Sequence, residues 1–170
     1  EQEGTYPLPE AQLDRFLMHV TIDYPAVEAE RDILNLVRNE AAHIEGQAPN
    51  QVAQADLFLA RQEVLAMHMA PEVEEYIIQL VMATRQPEIY GDDLNAWLEY
   101  GASPRGTISL DRCARAHSWI QGRDFVSPDD VQEILFDVLR HRILLSFEAE
   151  ASGITPDHVL EMIRERVPSA

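Results

Sequence analysis

Ser127-Pro128-Asp129-Asp130-Val131-Gln132-Glu133-Ile134-Leu135-Phe136-Asp137-Val138-Leu139 reads as one complete amphipathic helix. Serine is a favoured N-cap, proline is tolerated at the first helical position because its missing N–H would go unbonded there, and acids in the first turn meet the positive end of the helix dipole. Asp130, three residues after Ser127, makes a capping-box-like arrangement in which aspartate replaces the usual glutamate or glutamine. Val131, Ile134, Leu135, Val138 and Leu139 then recur at helix spacing and define a stripe to be buried.

The same opening device recurs on either side of this segment, at Ser103-Pro104 and Thr155-Pro156. After the first come Leu110, Cys113, Ala114, His117, Trp119 and Ile120 at helix spacing, and after the second Val159, Leu160, Ile163 and Val167. Gly122 and Gly153 fall in the connections. Further upstream, Pro71 opens a helix with Glu72, Glu74 and Glu75 in or near its first turn, and Val73, Ile77, Leu80, Val81 and Thr84 form its inner face until Pro87 stops it. Asp56 can cap a helix running through Leu57, Phe58, Arg61, Val64, Leu65 and His68. Val27, Ile33, Leu34, Val37 and Ala41 mark another, with a polar loop from Gly46 to Gln54 between the two.

The first 25 residues differ in kind. Pro9 and the run from Glu10 to Phe16 predict a short helix, and Met18, Val20, Ile22 and Tyr24 then alternate with polar residues, as in a strand with one buried face, until Pro25 ends it. A lone strand cannot satisfy its own backbone donors and acceptors, so residues 1–25 are expected to pack poorly or to pair with another chain as an exposed edge. The expected architecture is mainly α, a helical bundle preceded by a short helix and one strand, divided as 1–25, a connecting helix and loop at 26–54, and the bundle at 55–170.

Thirty acids against 13 basic residues give a formal net charge of -17, which opposes binding to nucleic acid. All 13 basic residues are arginine, so the 170 residues contain no lysine for a phosphate-binding loop. The single cysteine, Cys113, excludes an internal disulfide and reads as a small core residue. No apolar run approaches the roughly 18 residues of a membrane span. Glu1-Gln2-Glu3-Gly4 is unlike the start of a signal peptide, and a cytoplasmic location is expected.

Two arginines stand out as candidates for chemistry. Asp129 and Asp157 follow the proline in two of the three hydroxyl–proline starts, but Arg105 occupies that place in the third, where a cation is unfavourable by ~0.3–1 kcal/mol. Either a bound phosphate compensates at the helix entrance, or Arg105 is a solvated residue paired with Asp111 or Glu99. Arg15, at the end of the short helix, is electrostatically comfortable and by itself says little.

The run Glu1-Gln2-Glu3-Gly4-Thr5-Tyr6-Pro7-Leu8-Pro9-Glu10-Ala11-Gln12-Leu13-Asp14-Arg15-Phe16 is similar, nearly residue for residue, to the segment that follows sensor 1 in MoxR-family AAA+ ATPases. Ala83-Thr84-Arg85 and Gly101-Ala102-Ser103-Pro104-Arg105, followed by Ile108-Ser109-Leu110, resemble the family's lid-domain motifs, the second being its sensor 2. The resemblance implies that Arg15 is the arginine finger, reaching the γ-phosphate of ATP in a neighbouring subunit, and that Arg105 couples nucleotide state to lid position. It makes residues 1–25 a remnant of the AAA+ α/β core, Met18 to Tyr24 its edge strand, and the bundle the lid. It further implies ATP and Mg2+ as cofactors of the full-length protein, a homo-oligomeric ring, and chaperone-like action on a protein client. The phosphate loop, the Walker B acids and the sensor 1 asparagine would lie upstream, so this chain alone is expected to be inactive.

Competing readings are weaker. The six histidines lack zinc spacing, and the acid clusters serve helix starts rather than calcium. Trp97, Tyr100 and Trp119 read as core and bundle-edge residues, no nucleophile–base arrangement is visible, and Arg140-His141-Arg142 complements the negative end of a helix. The alternative is an acidic helical interaction module with no nucleotide role.

Overall fold

The computed structural model describes residues 8–42 and 50–169. The expected readings at residues 1–7 and at 46–49 lie outside them. Among the described residues the chain forms two compact units, one of 8–20 with 61–169 and one of 21–42 with 50–60.

The larger unit begins with α1 (Glu10–Leu13), and resumes within α3 (Gln54–Ala66), which crosses from the smaller unit. It continues through β1 (His68–Met69), α4 (Pro71–Arg85), a 3-10 turn (Pro87–Ile89), α5 (Asp92–Trp97), β2 (Leu98–Tyr100) and α6 (Pro104–Ile120). After these come β3 (Phe125–Val126), α7 (Pro128–Leu139), β4 (Leu144–Leu145), α8 (Phe147–Ala151) and α9 (Pro156–Arg166). Two minimal ladders staple the helices: β1 runs parallel to β3, pairing His68 with Phe125 and Met69 with Val126, and β2 runs antiparallel to β4.

The core follows the helical periodicity. Val73, Ile77, Leu80, Val81 and Thr84 of α4 are all buried, as are Val131, Ile134, Leu135, Val138 and Leu139 of α7 and Val159, Leu160 and Ile163 of α9. On α6, Leu110, Cys113 and Ala114 are buried while Ile120, at the C-terminal end, is exposed. Burial pushes the Cys113 thiol pKa up, consistent with an inert core residue. All three hydroxyl–proline starts are real N-caps: Ser103 accepts from the Arg105 N–H, Thr155 from the His158 N–H, and Ser127 forms a reciprocal capping box with Asp130. Gly122, at φ 72°, ends α6 in the left-handed region, and the Arg123 N–H then reaches back to Ser118 O at 3.1 Å.

In the smaller unit, α2 (Val27–Ala41) and the α3 residues carry the expected apolar positions, but neither helix has a buried residue. The helix at 54–66 starts two residues before Asp56, which lies in its first turn rather than at its cap.

Met18 to Tyr24 does not form the expected strand. Residues 18–26 are without regular structure, and Ile22 and Tyr24 are 90% and 94% exposed, so the half-buried alternation is not realised. A strand exists only as part of a ladder, and the ladder residues described in this chain are committed to β1–β3 and β2–β4. Residues 14–19 do not pack poorly, since they belong to the larger unit and are bonded to Arg140 and Arg142 just after α7.

Asp130 does more than cap. Its fully buried carboxylate accepts from the Ser127 N–H at 2.8 Å and the Ser127 hydroxyl at 2.9 Å, meets His117 Nδ1 at 2.7 Å, and pairs with Arg123 Nη2. Burial alone would raise its pKa, but the Ser127 and His117 hydrogen bonds and the Arg123 charge outweigh it and hold the carboxyl below the usual carboxylate range. A depressed folded pKa means that this stabilisation is present above the unfolded value near ~4 and is lost as pH falls through the folded value. Asp130→Asn should lower unfolding free energy by about 3 kcal/mol in urea titrations at pH 7, with the difference from the parent chain shrinking below about pH 4.

Candidate functional site

The two motifs resembling lid elements form one interlock. Thr84 is buried, and its hydroxyl donates to Val81 O at 2.7 Å while accepting from the Ala102 N–H at 3.0 Å. Arg85 Nε donates to Ala102 O at 2.7 Å, so consecutive residues of α4 bind both backbone polar groups of Ala102. Gly101 packs so tightly that a Cβ there would sit 2.2 Å from Thr84 O. The end of α4 thereby fixes the entrance of α6, and with it Arg105 in the first turn.

Arg105 is partnered by a residue far away in sequence. Its Nε lies 3.7 Å from Asp14 Oδ2, and Ser103 Oγ donates to both oxygens of the same carboxylate, at 3.0 and 2.9 Å. The acid beside Arg105 is therefore Asp14, and neither Asp111 nor Glu99, the partners weighed against a bound phosphate, pairs with it among the described residues. Asp111 instead pairs with Arg115 at 2.9 Å. With Arg105 half exposed, its pair with Asp14 is worth no more than about 1 kcal/mol.

Arg15 is the residue after Asp14. Its side chain is exposed and makes no hydrogen bond or ion pair among the described residues. Asp14 brings the two sequence-predicted arginines together: one is its chain neighbour, the other its ion-pair partner. Among the described residues, Arg15 presents an unpaired cation, and Arg105 a cation half screened by a carboxylate.

The segment carrying Arg15 is held by Arg140, His141 and Arg142. Arg140 donates to His19 O at 2.6 Å and pairs with Asp137 and Asp157, while the His19 N–H donates to Asp137 O at 2.7 Å. His141 Nε2 lies 3.2 Å from Phe16 O, and its ring stands edge-on to His19 at 5.9 Å between centroids. Burial pushes the His141 pKa down; hydrogen bonding to Phe16 O opposes this, and the Arg142 and His19 charges reinforce it. The side chain of Arg142 is 1% exposed, with Nε 3.3 Å from Asp14 Oδ1 but off the hydrogen-bond direction. Its donors serve Phe16 O at 2.5 Å, Asp14 O and Leu17 O at 3.3 Å, Ser109 Oγ at 3.1 Å, and Val138 O. Burial lowers its pKa while the Asp14 charge raises it, the net direction being down.

Sequence reasoning placed Arg142 correctly near the end of a helix, where it does bind Val138 O, but missed its main partners, which lie 125 to 128 residues away. It also missed Asp14, whose signal was its place directly before Arg15. Among the described residues, no group of three or more histidines, cysteines or acids could hold a metal ion, and no helix is long and apolar enough to cross a membrane.

Residues 95–163, which include the entrance of α6 and its cap, match the family model of the AAA lid domain. The chain is 39% identical to Chaperone MoxR1 of Mycobacterium tuberculosis, over 98% of this chain and 44% of that protein. It is 34% identical to Protein MoxR of Paracoccus denitrificans, over 92% of this chain and 49% of that one. The chain belongs to the MoxR family of AAA+ proteins. A crystal structure of a Cytophaga hutchinsonii protein assigned as an ATPase is similar over all of this chain and 51% of its own, with 40% identity and a TM-score of 0.93. This MoxR-family chain thus spans about half the length of the curated relatives it matches, and its mainly helical bundle is a lid of the AAA type.

Gly101→Ala is expected to force Thr84 and Ala102 apart, because the obstructing atom is a backbone carbonyl with no rotamer to change. The loss should be about 1–3 kcal/mol in the urea midpoint analysis.

Proposed function

We propose that this chain supplies the lid and the arginine-bearing segment of a MoxR-type AAA+ ATPase, in which Arg15 serves as the arginine finger and Arg105 as sensor 2. The observation that carries the reading is Asp14, whose carboxylate pairs with Arg105 and lies against the buried Arg142 and whose chain neighbour is Arg15, so that both arginines lie at one end of the bundle. A phosphate-directed role fits their chemistry: Arg15 is an exposed permanent cation, and Arg105 sits where a helix entrance offers N–H groups to an anion.

ATP with Mg2+, bound by parts of the full-length protein outside these residues, would supply the transferable phosphoryl group. Arg15 acts on the γ-phosphate held by a neighbouring subunit and offsets charge that grows in the transition state. Arg105 exchanges its weak pair with Asp14 for a phosphate oxygen, so nucleotide binding tugs on α6 and, through the Ala102 interlock, on α4. We place the protein in the cytoplasm, in a homo-oligomeric ring that remodels or activates a protein client. The 170 residues contain no lysine and hence no phosphate-loop lysine, so this chain by itself is expected to hydrolyse no ATP.

In a full-length MoxR-family protein carrying this chain, Arg15→Ala should lower the ATPase kcat by about 10³-fold or more with little change in KM. Arg105→Ala should weaken nucleotide binding as well as turnover. Both variants should keep the parent's circular dichroism and thermal midpoint. Unchanged turnover in both would instead support an acidic interaction module without a nucleotide role.

A further inference from the structure

Arg142 is more deeply buried than any other charged cation described here, and its surroundings are unusual. A guanidinium out of water is costly unless its five N–H groups and its charge are met. The partners fall into two sets. Asp14 O, Phe16 O, Leu17 O and the Asp14 carboxylate belong to the segment around Arg15, whereas Ser109 Oγ and Val138 O belong to α6 and α7. Carbonyls on both sides of Arg15 are thus gripped by one planar, inflexible group. That group is simultaneously fixed to α6, the helix whose first turn carries Arg105. The stem of Arg142 also passes Gly106, where a Cβ would stand 3.7 Å from its Cδ and 3.2 Å from Leu139 Cδ2.

We propose that Arg142 is a positioning residue for the proposed reaction: it locks the backbone of residues 14–17 to α6 and α7, so that Arg15 is presented to nucleotide in one fixed position. The assignment rests on the arginine-finger reading of Arg15. Arg142 itself touches no phosphate, because its Nη donors are taken up by protein acceptors, its Nε is buried beside the Asp14 carboxylate, and its side chain is 1% exposed. Its fork geometry matters as much as its charge, since a lysine ammonium has three donors on a single point and cannot span the two sets of acceptors.

Two measurements test this. In the 170-residue chain, Arg142→Lys should speed hydrogen exchange of the His19 amide, which is bonded to Asp137 O, by at least tenfold while leaving the amides in the middle of α7 protected. In the full-length ATPase, the same variant should lower kcat at least tenfold with KM for ATP within twofold. Combined with Arg15→Ala, it should cause no further loss, because positioning is worthless once the finger is gone. A merely structural role would multiply the two losses. Multiplied losses, unchanged kcat or unchanged exchange at His19 would each overturn the proposal. If Arg15→Ala alone leaves turnover intact, the finger reading is what fails, and the exchange result then decides the clamp by itself. Should Arg142→Lys not fold, Ser109→Ala removes one acceptor without stranding a charge, and is expected to raise His19 exchange at least twofold; no rise would overturn the proposal.

Discussion

A single buried guanidinium organises one end of this bundle. Because Arg142 cannot shed its proton, its burial is tolerable only while oxygens surround it, and most of those oxygens are main-chain carbonyls of residues 14–17. The requirement runs both ways. The N-terminal segment has almost no buried apolar surface of its own, and its order depends on the cation it satisfies together with the bonds made by Arg140 and His141. Hydrogen bonds from Arg140, His141 and Arg142, together with the packing of Met18 against the core, hold this segment in place.

The other end of the same arrangement is built on the backbone of Ala102. Thr84 and Arg85 bind both polar groups of Ala102, and Gly101 lets the two backbones approach to a distance that no side chain allows. This contact sets where α6 starts, while Arg142 sets what lies against it. Asp14 joins the two devices, since one carboxylate faces Ser103, Arg105 and Arg142. The site is therefore a short chain of directional contacts from α4 to the Arg15 segment, each of which depends on its neighbour for geometry.

Much of the fold could be read from the sequence because helix periodicity and caps are local. The faces of α4 and α7 and the three hydroxyl–proline starts needed no knowledge of tertiary structure. Arg15 and Arg105 stood out as candidates through a motif resemblance and through a charge at an unfavourable helix position. What stayed hidden was non-local. Asp14 looked like one more acid in a chain with 30 of them, and the Arg140-His141-Arg142 run looked like a helix-end complement, since nothing in local spacing signals a partner more than 100 residues away. The alternation at Met18 to Tyr24 misled for a related reason: period-2 patterning states which face a strand would bury, but a ladder needs neighbours that patterning cannot supply.

The chemistry of the clamp also sets which kinds of sequence change it can absorb. Arg142 grips the carbonyl oxygens of Asp14, Phe16 and Leu17, and the side chains of Phe16 and Leu17 point away, 55% and 50% exposed. Every amino acid has the same carbonyl, so evolution can exchange the side chains at these two positions with little effect on the grip. Adding or deleting one residue between Asp14 and His19 is another matter, because it would shift every acceptor out of register at once. Across related sequences, the spacing of this stretch should be far better kept than its letters.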